Sequence, residues 1–152
     1  METIEKNTDT LESILTEWEN DSKIDLTEPS REILRIPLLH AKYLRILSKA
    51  RIASKTAHFN YCKLKKIKWE YYSGKLPTEE LEQYGWEPFR YTLKSDISIY
   101  IEADRDIISQ LNRKAILDEL IEVCTAIMKE LANRTYQLRE HMAHERFIGG
   151  SR

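Results

Sequence analysis

The sequence predicts a mainly all-α fold in which two long antiparallel helices carry most of the chain. Gly and Pro occur only four times each among 152 residues, so breaks in a helix are rare. Residues 38–73 contain neither, and residues 102–148 keep an apolar repeat at helical spacing almost to their end. The chain length fits a single domain, and we expect copies of this domain to form an oligomeric helical assembly.

This domain divides into four segments. Residues 1–29 hold an acidic N-terminal helix and a connector, residues 30–74 a long basic helix, residues 75–101 a second connector, and residues 102–148 a C-terminal oligomerisation helix. The two cysteines form no CxxC motif, no apolar run approaches the roughly 20 residues of a membrane span, and the acidic start does not resemble a targeting signal. We therefore expect reduced thiols in a cytoplasm.

The first segment is predicted to contain one short amphipathic helix. Asp9 and Glu12 form a capping box, and the residues before it should be frayed. The apolar face that follows consists of Leu11, Ile14, Leu15 and Trp18. Since this face lies outside both long stripes, the helix either docks on a basic partner or packs on the body of the protein. We expect it to be dispensable for assembly.

The long basic helix is expected to start near Ser30, to be kinked or restarted by Pro37, and to end at Gly74. Its apolar stripe repeats in steps of three and four residues: Leu39, Tyr43, Ile46, Ala50, Ala53, Ala57, Tyr61, Leu64, Ile67 and Tyr71. Such a stripe predicts a long contact with another helix.

Charge is strongly segregated along the chain. The net charge of the whole is −1, but residues 1–37 carry −6, residues 38–75 carry +9 and residues 76–152 carry −4. This asymmetry indicates that the second segment meets a polyanion. Lysines supply phosphate contacts without base preference, and aromatic faces stack on unpaired bases. The predicted DNA-binding residues are Lys63, Lys65, Lys66, Lys68, Trp69, Tyr71 and Tyr72, with Arg45 and Lys49, and Tyr72 is the aromatic expected on the exposed face.

The second connector is a candidate β-hairpin over residues 89–101. Phe89, Tyr91 and Leu93 alternate with more polar residues, as do Ile97, Ile99 and Ile101, and turn-forming residues separate the two runs.

The C-terminal helix carries a heptad seam. A single helix cannot bury an apolar stripe of this width alone. The stripe must pack against the first long helix, against copies of the same helix from other chains, or against both. The residues predicted for oligomerisation are Leu117, Leu120, Ile121, Cys124, Ile127, Met128, Leu131, Leu138 and Met142.

Catalytic and cofactor signatures are missing from the sequence. Ser73, Gly74 and Lys75 resemble a phosphate loop only superficially, because they end a helix. His141 and His144 lack a third metal ligand in sequence reach. We therefore predict that the protein is not an enzyme and uses no metal or cofactor.

Several short motifs occur in the order found in a known family. Residues 66–75 read KIKWEYYSGK, residues 86–89 WEPF, residues 93–96 LKSD, residues 100–107 YIEADRDI and residues 146–149 RFIG. Together they resemble the UvsY-type recombination mediators of T4-like bacteriophages over about residues 24–152. The segment before Asp21 matches poorly.

The resemblance implies a function and a set of partners. Members of this family bind single-stranded DNA and help a RecA-like phage recombinase displace the phage single-strand binding protein, without a nucleotide site or catalysis of their own. The family's DNA-binding segment carries over to Lys66 and Lys68, and its oligomerisation helix to the seam from Ile121 to Met142. The resemblance further implies a homo-oligomeric ring of six or seven subunits in the cytoplasm of the infected bacterial host.

Two other interpretations of the basic segment stay open. A non-enzymatic helical scaffold or adaptor would use it to bind an acidic protein partner. A reader of duplex DNA is less favoured, because aromatics stand where a groove helix would carry Asn or Arg.

Overall fold

The structure, a computed structural model, describes residues 2–89 and 93–150. These ranges contain five helices: α1 (Glu2–Asp21), α2 (Pro29–Tyr72), α3 (Thr78–Tyr84), α4 (Ile97–Glu102) and α5 (Arg105–Gly149). α2 has 44 residues and α5 has 45, and no strand occurs in the described ranges. The predicted all-α class with two long helices is confirmed.

α2 and α5 pack along each other in opposite directions. Ser54, near the middle of α2, donates a hydrogen bond over 2.6 Å to Asp118 in the N-terminal third of α5. Lys68, near the end of α2, contacts Asp104 just before α5 begins. The central core between α1, α2 and α5 is formed by Ile14, Leu39, Tyr43, Leu47, Ala50, Leu120, Cys124, Ile127 and Leu131.

The ends of the long helices follow local sequence signals. Pro29 starts α2, where its missing N–H would have no helical partner anyway. Gly74 follows α2 with a φ of 69°, a left-handed conformation that glycine adopts without strain. The N–H groups of Gly74 and Lys75 then donate to the carbonyls of Tyr71 and Glu70, which is a Schellman motif.

Two expectations about helix boundaries were wrong. α1 begins at Glu2, so Asp9 lies within the helix and not at its N-terminus. α2 continues through Pro37, so the expected restart at this proline is wrong, whereas the alternative of a kink stays a prediction. Ile36 and Leu39 are both buried on either side of this proline, and their packing favours a continuous helix over the local preference of proline.

The candidate hairpin over residues 89–101 was also wrong. Residues 97–102 form α4 and residues 94–96 form a turn, while Tyr91 lies outside the described residues. Ile97 and Ile101 are buried with Ile107, whereas Ile99 is 65% exposed. Apolar residues at i and i+4 fit one face of a helix as well as one face of a strand, and burial here selects the helix.

α1 contributes to the core of its own chain, and its dispensability for assembly stays a prediction. Ile14 is buried in the central core, and the Trp18 ring meets the Tyr43 ring edge-to-face at 5.5 Å between centroids. The acidic helix therefore packs on the body of its own chain.

Candidate nucleic-acid interface

An exposed basic stripe runs along α2 on the side away from the core. Its residues recur in steps of four and three and so share one helical face. None of Arg45, Lys49 and Lys63 forms an ion pair within the described part of the chain, and Lys66 contacts only Glu70, over 3.6 Å. The stripe consists of Arg45, Lys49, Ile52, Thr56, Phe59, Lys63 and Lys66, all of them exposed. Arg45, Lys49 and Lys63 are therefore free to meet phosphates, and Lys66 has only one long, exposed ion pair to give up.

Lys68 is placed elsewhere than predicted. It is 5% exposed, and its Nζ lies 2.9 Å from Oδ2 of Asp104 and 2.6 Å from Oδ2 of Asp106. The same ammonium lies 3.9 Å from the ring centroid of Trp86. Position 68 falls on the buried side of α2, where two carboxylates already neutralise the charge. In this structure Lys68 cannot contact a phosphate, which corrects its assignment to the DNA site.

Tyr71 and Tyr72 are likewise engaged in contacts within the protein. The hydroxyl of Tyr72 donates to Asp104 over 2.8 Å, and that of Tyr71 donates to the Glu87 carbonyl over 3.0 Å. Burial, followed by the hydrogen bond to Asp104, raises the pKa of Tyr72. Both rings are half-buried among Trp86, Phe89 and Tyr100. The expectation that Tyr72 lies on the exposed face was therefore wrong.

Trp69 is the aromatic of this segment that stays accessible, with 43% of its surface exposed. It borders a cleft of about 370 Å³ between the C-terminal half of α2, α4 and the start of α5. Tyr61 and Lys65 lie two turns and one turn before Trp69 and line the same cleft, together with Lys94. Tyr61 and Lys94 were not among the predicted site residues, although the spacing of four between Tyr61, Lys65 and Trp69 signals a shared face.

Asp104 organises the protein beneath this surface. Its side chain accepts hydrogen bonds from the N–H groups of Asp106 and Ile107, over 2.9 and 3.2 Å, and so caps α5. Burial favours the neutral form of this carboxyl. The bonds from Lys68, Tyr72 and Ile107 outweigh that effect and lower its pKa. Asp104 therefore links the end of α2 to the beginning of α5.

The predicted oligomerisation residues lie mostly in the chain's own core. Of the nine, six are buried by contacts within one chain, and Leu131 has no exposed surface. The six are Leu117, Leu120, Cys124, Ile127, Leu131 and Leu138, while Ile121, Met128 and Met142 are half-buried. α2 and α1 cover the seam, so the six buried residues are not free to form an interface in this structure.

The described residues contain neither a cluster of potential metal ligands nor a helix that could span a membrane. No group of three or more His, Cys, Asp or Glu side chains there is arranged to hold a metal ion. No helix in the same ranges is long and apolar enough to cross a membrane.

Fold and surface together define a helical protein whose exposed lysines and accessible aromatic ring suit single-stranded nucleic acid. The sequence model of the UvsY family, described as the recombination, repair and ssDNA binding protein UvsY, matches residues 17–151. The chain therefore belongs to the UvsY family of recombination, repair and single-stranded DNA-binding proteins.

A solved structure supports the fold. The crystal structure of the bacteriophage T4 recombination mediator protein UvsY matches with a TM-score of 0.78 and 20% sequence identity. The match covers 91% of this chain and 96% of that one. The comparison with curated protein sequences gives no match.

Proposed function

We propose that this protein is a non-enzymatic recombination mediator, which binds single-stranded DNA and helps a RecA-like phage recombinase replace the phage single-strand binding protein. It would act in the cytoplasm of the infected bacterial host. The observation that carries the proposal is the exposed basic stripe of α2 beside the accessible Trp69. The family match supports the same role.

The stripe suits binding without sequence preference. Its cations contact phosphates, which all strands share, and the exposed rings of Phe59 and Trp69 offer stacking surfaces that every base can use. Lys63, Lys65 and Lys66 are the lysines assigned to phosphates, with Arg45 and Lys49 farther along α2. A partner that distorts the strand favours the recombinase filament by shifting the balance between competing DNA-bound states.

We further propose that the protein acts as a homo-oligomeric ring of six or seven subunits. A single helix with a few free cations binds weakly, whereas several copies on one strand gain from their high effective concentration. The half-exposed edge of the α5 seam, at Ile121, Met128 and Met142, is an apolar surface that such a ring could use. Light scattering on the full chain measures its mass, and a monomer at the concentrations used for DNA binding would contradict the ring.

The first experiment compares the affinity of the protein for single-stranded DNA, duplex DNA and an acidic protein. Tightest binding to the single strand is expected, and preference for the acidic protein would favour the scaffold interpretation. The double variant Lys63→Ala with Lys66→Ala should lower the magnitude of the salt slope by about 0.7 for each lost contact. Lys129→Ala, which changes an exposed lysine of α5, is the matched control.

The second experiment tests mediation itself. Single-stranded DNA is first covered with the phage single-strand binding protein, and the recombinase is added with or without this protein. Faster filament assembly in its presence is expected from the wild type. Slower assembly with the double lysine variant should accompany its weaker binding. Unchanged assembly with the wild type would overturn the mediator role while leaving DNA binding intact.

A further inference from the structure

We propose that the cleft beside Trp69 receives one unpaired base of the bound strand. Its volume of about 370 Å³ lies at the small end of the roughly 300–1,000 Å³ typical of ligand pockets. A space of this size suits a single base and not a longer stretch of strand. The inference rests on the proposed binding of single-stranded DNA by the same helix and specifies where a base would sit.

The wall formed by α2 combines aromatic rings with cations. Lys65 Nζ lies 5.7 Å from the ring centroid of Tyr61. Lys75, which follows α2 and does not line the cleft, places its Nζ 4.6 Å from the ring centroid of Trp69. A base entering beside these rings brings its flanking phosphates close to both ammonium groups. The wall thus offers a stacking surface and charge neutralisation at one place.

The floor and rim match the remaining chemistry of a base. Ile97, Ile101 and Ile107 are buried side chains of α4 and α5 that line the cleft, and they suit the apolar face of a ring. At the rim, Lys94, Ser98 and Glu102 supply donors and acceptors for the polar edge. The cleft is lined by two cations, Lys65 and Lys94, and one anion, Glu102. An apolar peptide would not require this net positive charge, so charge complementarity favours the DNA strand as the occupant.

A double comparison of protein and strand tests the cleft. Wild type and Trp69→Ala are each titrated with a normal single strand and with an abasic strand of equal length, which keeps its phosphates and lacks its bases. Trp69→Ala should weaken binding to the normal strand by about 5- to 150-fold. The same change should have little effect on the abasic strand. Lys63→Ala, a phosphate contact, should weaken binding to both strands equally.

Filling the cleft from its opposite side gives an independent test. Ser98→Trp places a large side chain into the cleft from α4 and leaves every α2 residue unchanged. Ile99→Trp is the matched control, because residue 99 is 65% exposed and does not line the cleft. Only Ser98→Trp should reduce the advantage of the normal strand over the abasic one, and stacking on Phe59 accounts for what remains. Circular dichroism is used to check that both variants fold.

The outcomes separate this inference from the proposed function. If wild type binds neither strand, single-strand binding itself fails. If it binds both strands equally with a steep salt dependence, binding stands and the base site is overturned. The base site is also overturned if Trp69→Ala weakens both strands alike, or if Ser98→Trp alters oligomer mass, since the cleft would then hold a second copy of the chain. Should Ser98→Trp misfold, the comparison of strands on wild type and Trp69→Ala still decides.

Discussion

Two polar junctions connect the helices of this protein. They contain the same kinds of side chain but differ in their exposure to solvent. Each joins one carboxylate to a lysine and a tyrosine hydroxyl of α2: Asp21 to Lys42 and Tyr43 in the Asp21 junction, and Asp104 to Lys68 and Tyr72 in the Asp104 junction. The first joins the end of α1 to the start of α2. The second joins the end of α2 to the start of α5, directly beneath the proposed DNA surface.

The two junctions differ mainly in solvent access. The side chains of Asp21 and Lys42 are 17% and 37% exposed, whereas those of Asp104 and Lys68 are both 6% exposed. Water can replace a lost partner at the Asp21 junction but reaches the Asp104 junction poorly. Removing one member should therefore be tolerated at the first and damaging at the second.

The largest expected effect comes from removing the lysine of the Asp104 junction, and the same change at the Asp21 junction is its comparison. Lys68→Met should lower the free energy of unfolding by about 3–5 kcal/mol, because it leaves Asp104 buried without its cation. Lys42→Met should lower it by about 1 kcal/mol or less, since that pair is partly solvated. Urea unfolding monitored by circular dichroism measures both. Equal losses in the two variants would mean that solvent access does not distinguish the junctions.

A second prediction asks whether α1 contributes packing as well as the Asp21 junction. Ile14→Ala should destabilise the protein by about 2–5 kcal/mol, near the lower end, because Ile14 borders an apolar groove where the loss of surface is smaller. Leu15→Ala is the matched control, since Leu15 is exposed on the same helix. If neither variant changes the unfolding midpoint, α1 does not belong to the cooperative core.

The contrast between the junctions could not be read from the sequence. The long helices were predictable because residues 38–73 contain no Gly or Pro and their apolar stripe is regular. The partners of Lys68 were not, since Asp106 lies 38 residues away and meets it only when α2 and α5 pack. Without them, Lys68 looked like its neighbours Lys63, Lys65 and Lys66, which are exposed.

The aromatic residues show the same limit on prediction. Trp69, Tyr71 and Tyr72 occupy nearly consecutive positions of one helix, and periodicity alone placed Tyr72 outside. The ring cluster that covers Tyr72 is completed by Phe89 and Tyr100, which come from the connector and α4. Sequence periodicity reports the faces of one helix, but the elements that cover those faces are known only from the folded chain.

The third prediction concerns acid. The pKa of Asp104 is lowered in the folded protein from its usual value of 3.8, as is that of Asp21. A carboxyl with a lowered pKa contributes stability that is present above its unfolded value and lost as the pH falls through its folded value. The free energy of unfolding should therefore fall between about pH 5 and about pH 2.

The junctions can be separated in the same acid titration. Lys68→Met removes the main hydrogen bond that lowers the pKa of Asp104, so its penalty relative to wild type should shrink as the pH falls. For Lys42→Met the change with pH should be smaller, because Asp21 keeps a second cation, Arg35, at 3.2 Å and is more exposed to solvent than Asp104. A penalty for Lys68→Met that stays constant down to about pH 2 would show that the lysine acts through packing and not through charge.

The smallest expected effect isolates single hydroxyls. Tyr43→Phe and Tyr72→Phe each remove one hydrogen bond to a carboxylate and keep the ring. The range expected for the loss in the free energy of unfolding is about 1.5–3 kcal/mol. Tyr72→Phe should lie toward the upper end, since water cannot readily replace its bond to Asp104, and Tyr43→Phe at or below the lower end. Both unfolding energies come from urea titration at neutral pH. A larger loss for Tyr43→Phe would reverse the ranking of the junctions.

Affinity for single-stranded DNA should stay unchanged in Tyr72→Phe, because its ring supports the surface from within. Weaker binding at unchanged helicity would return Tyr72 to the DNA site.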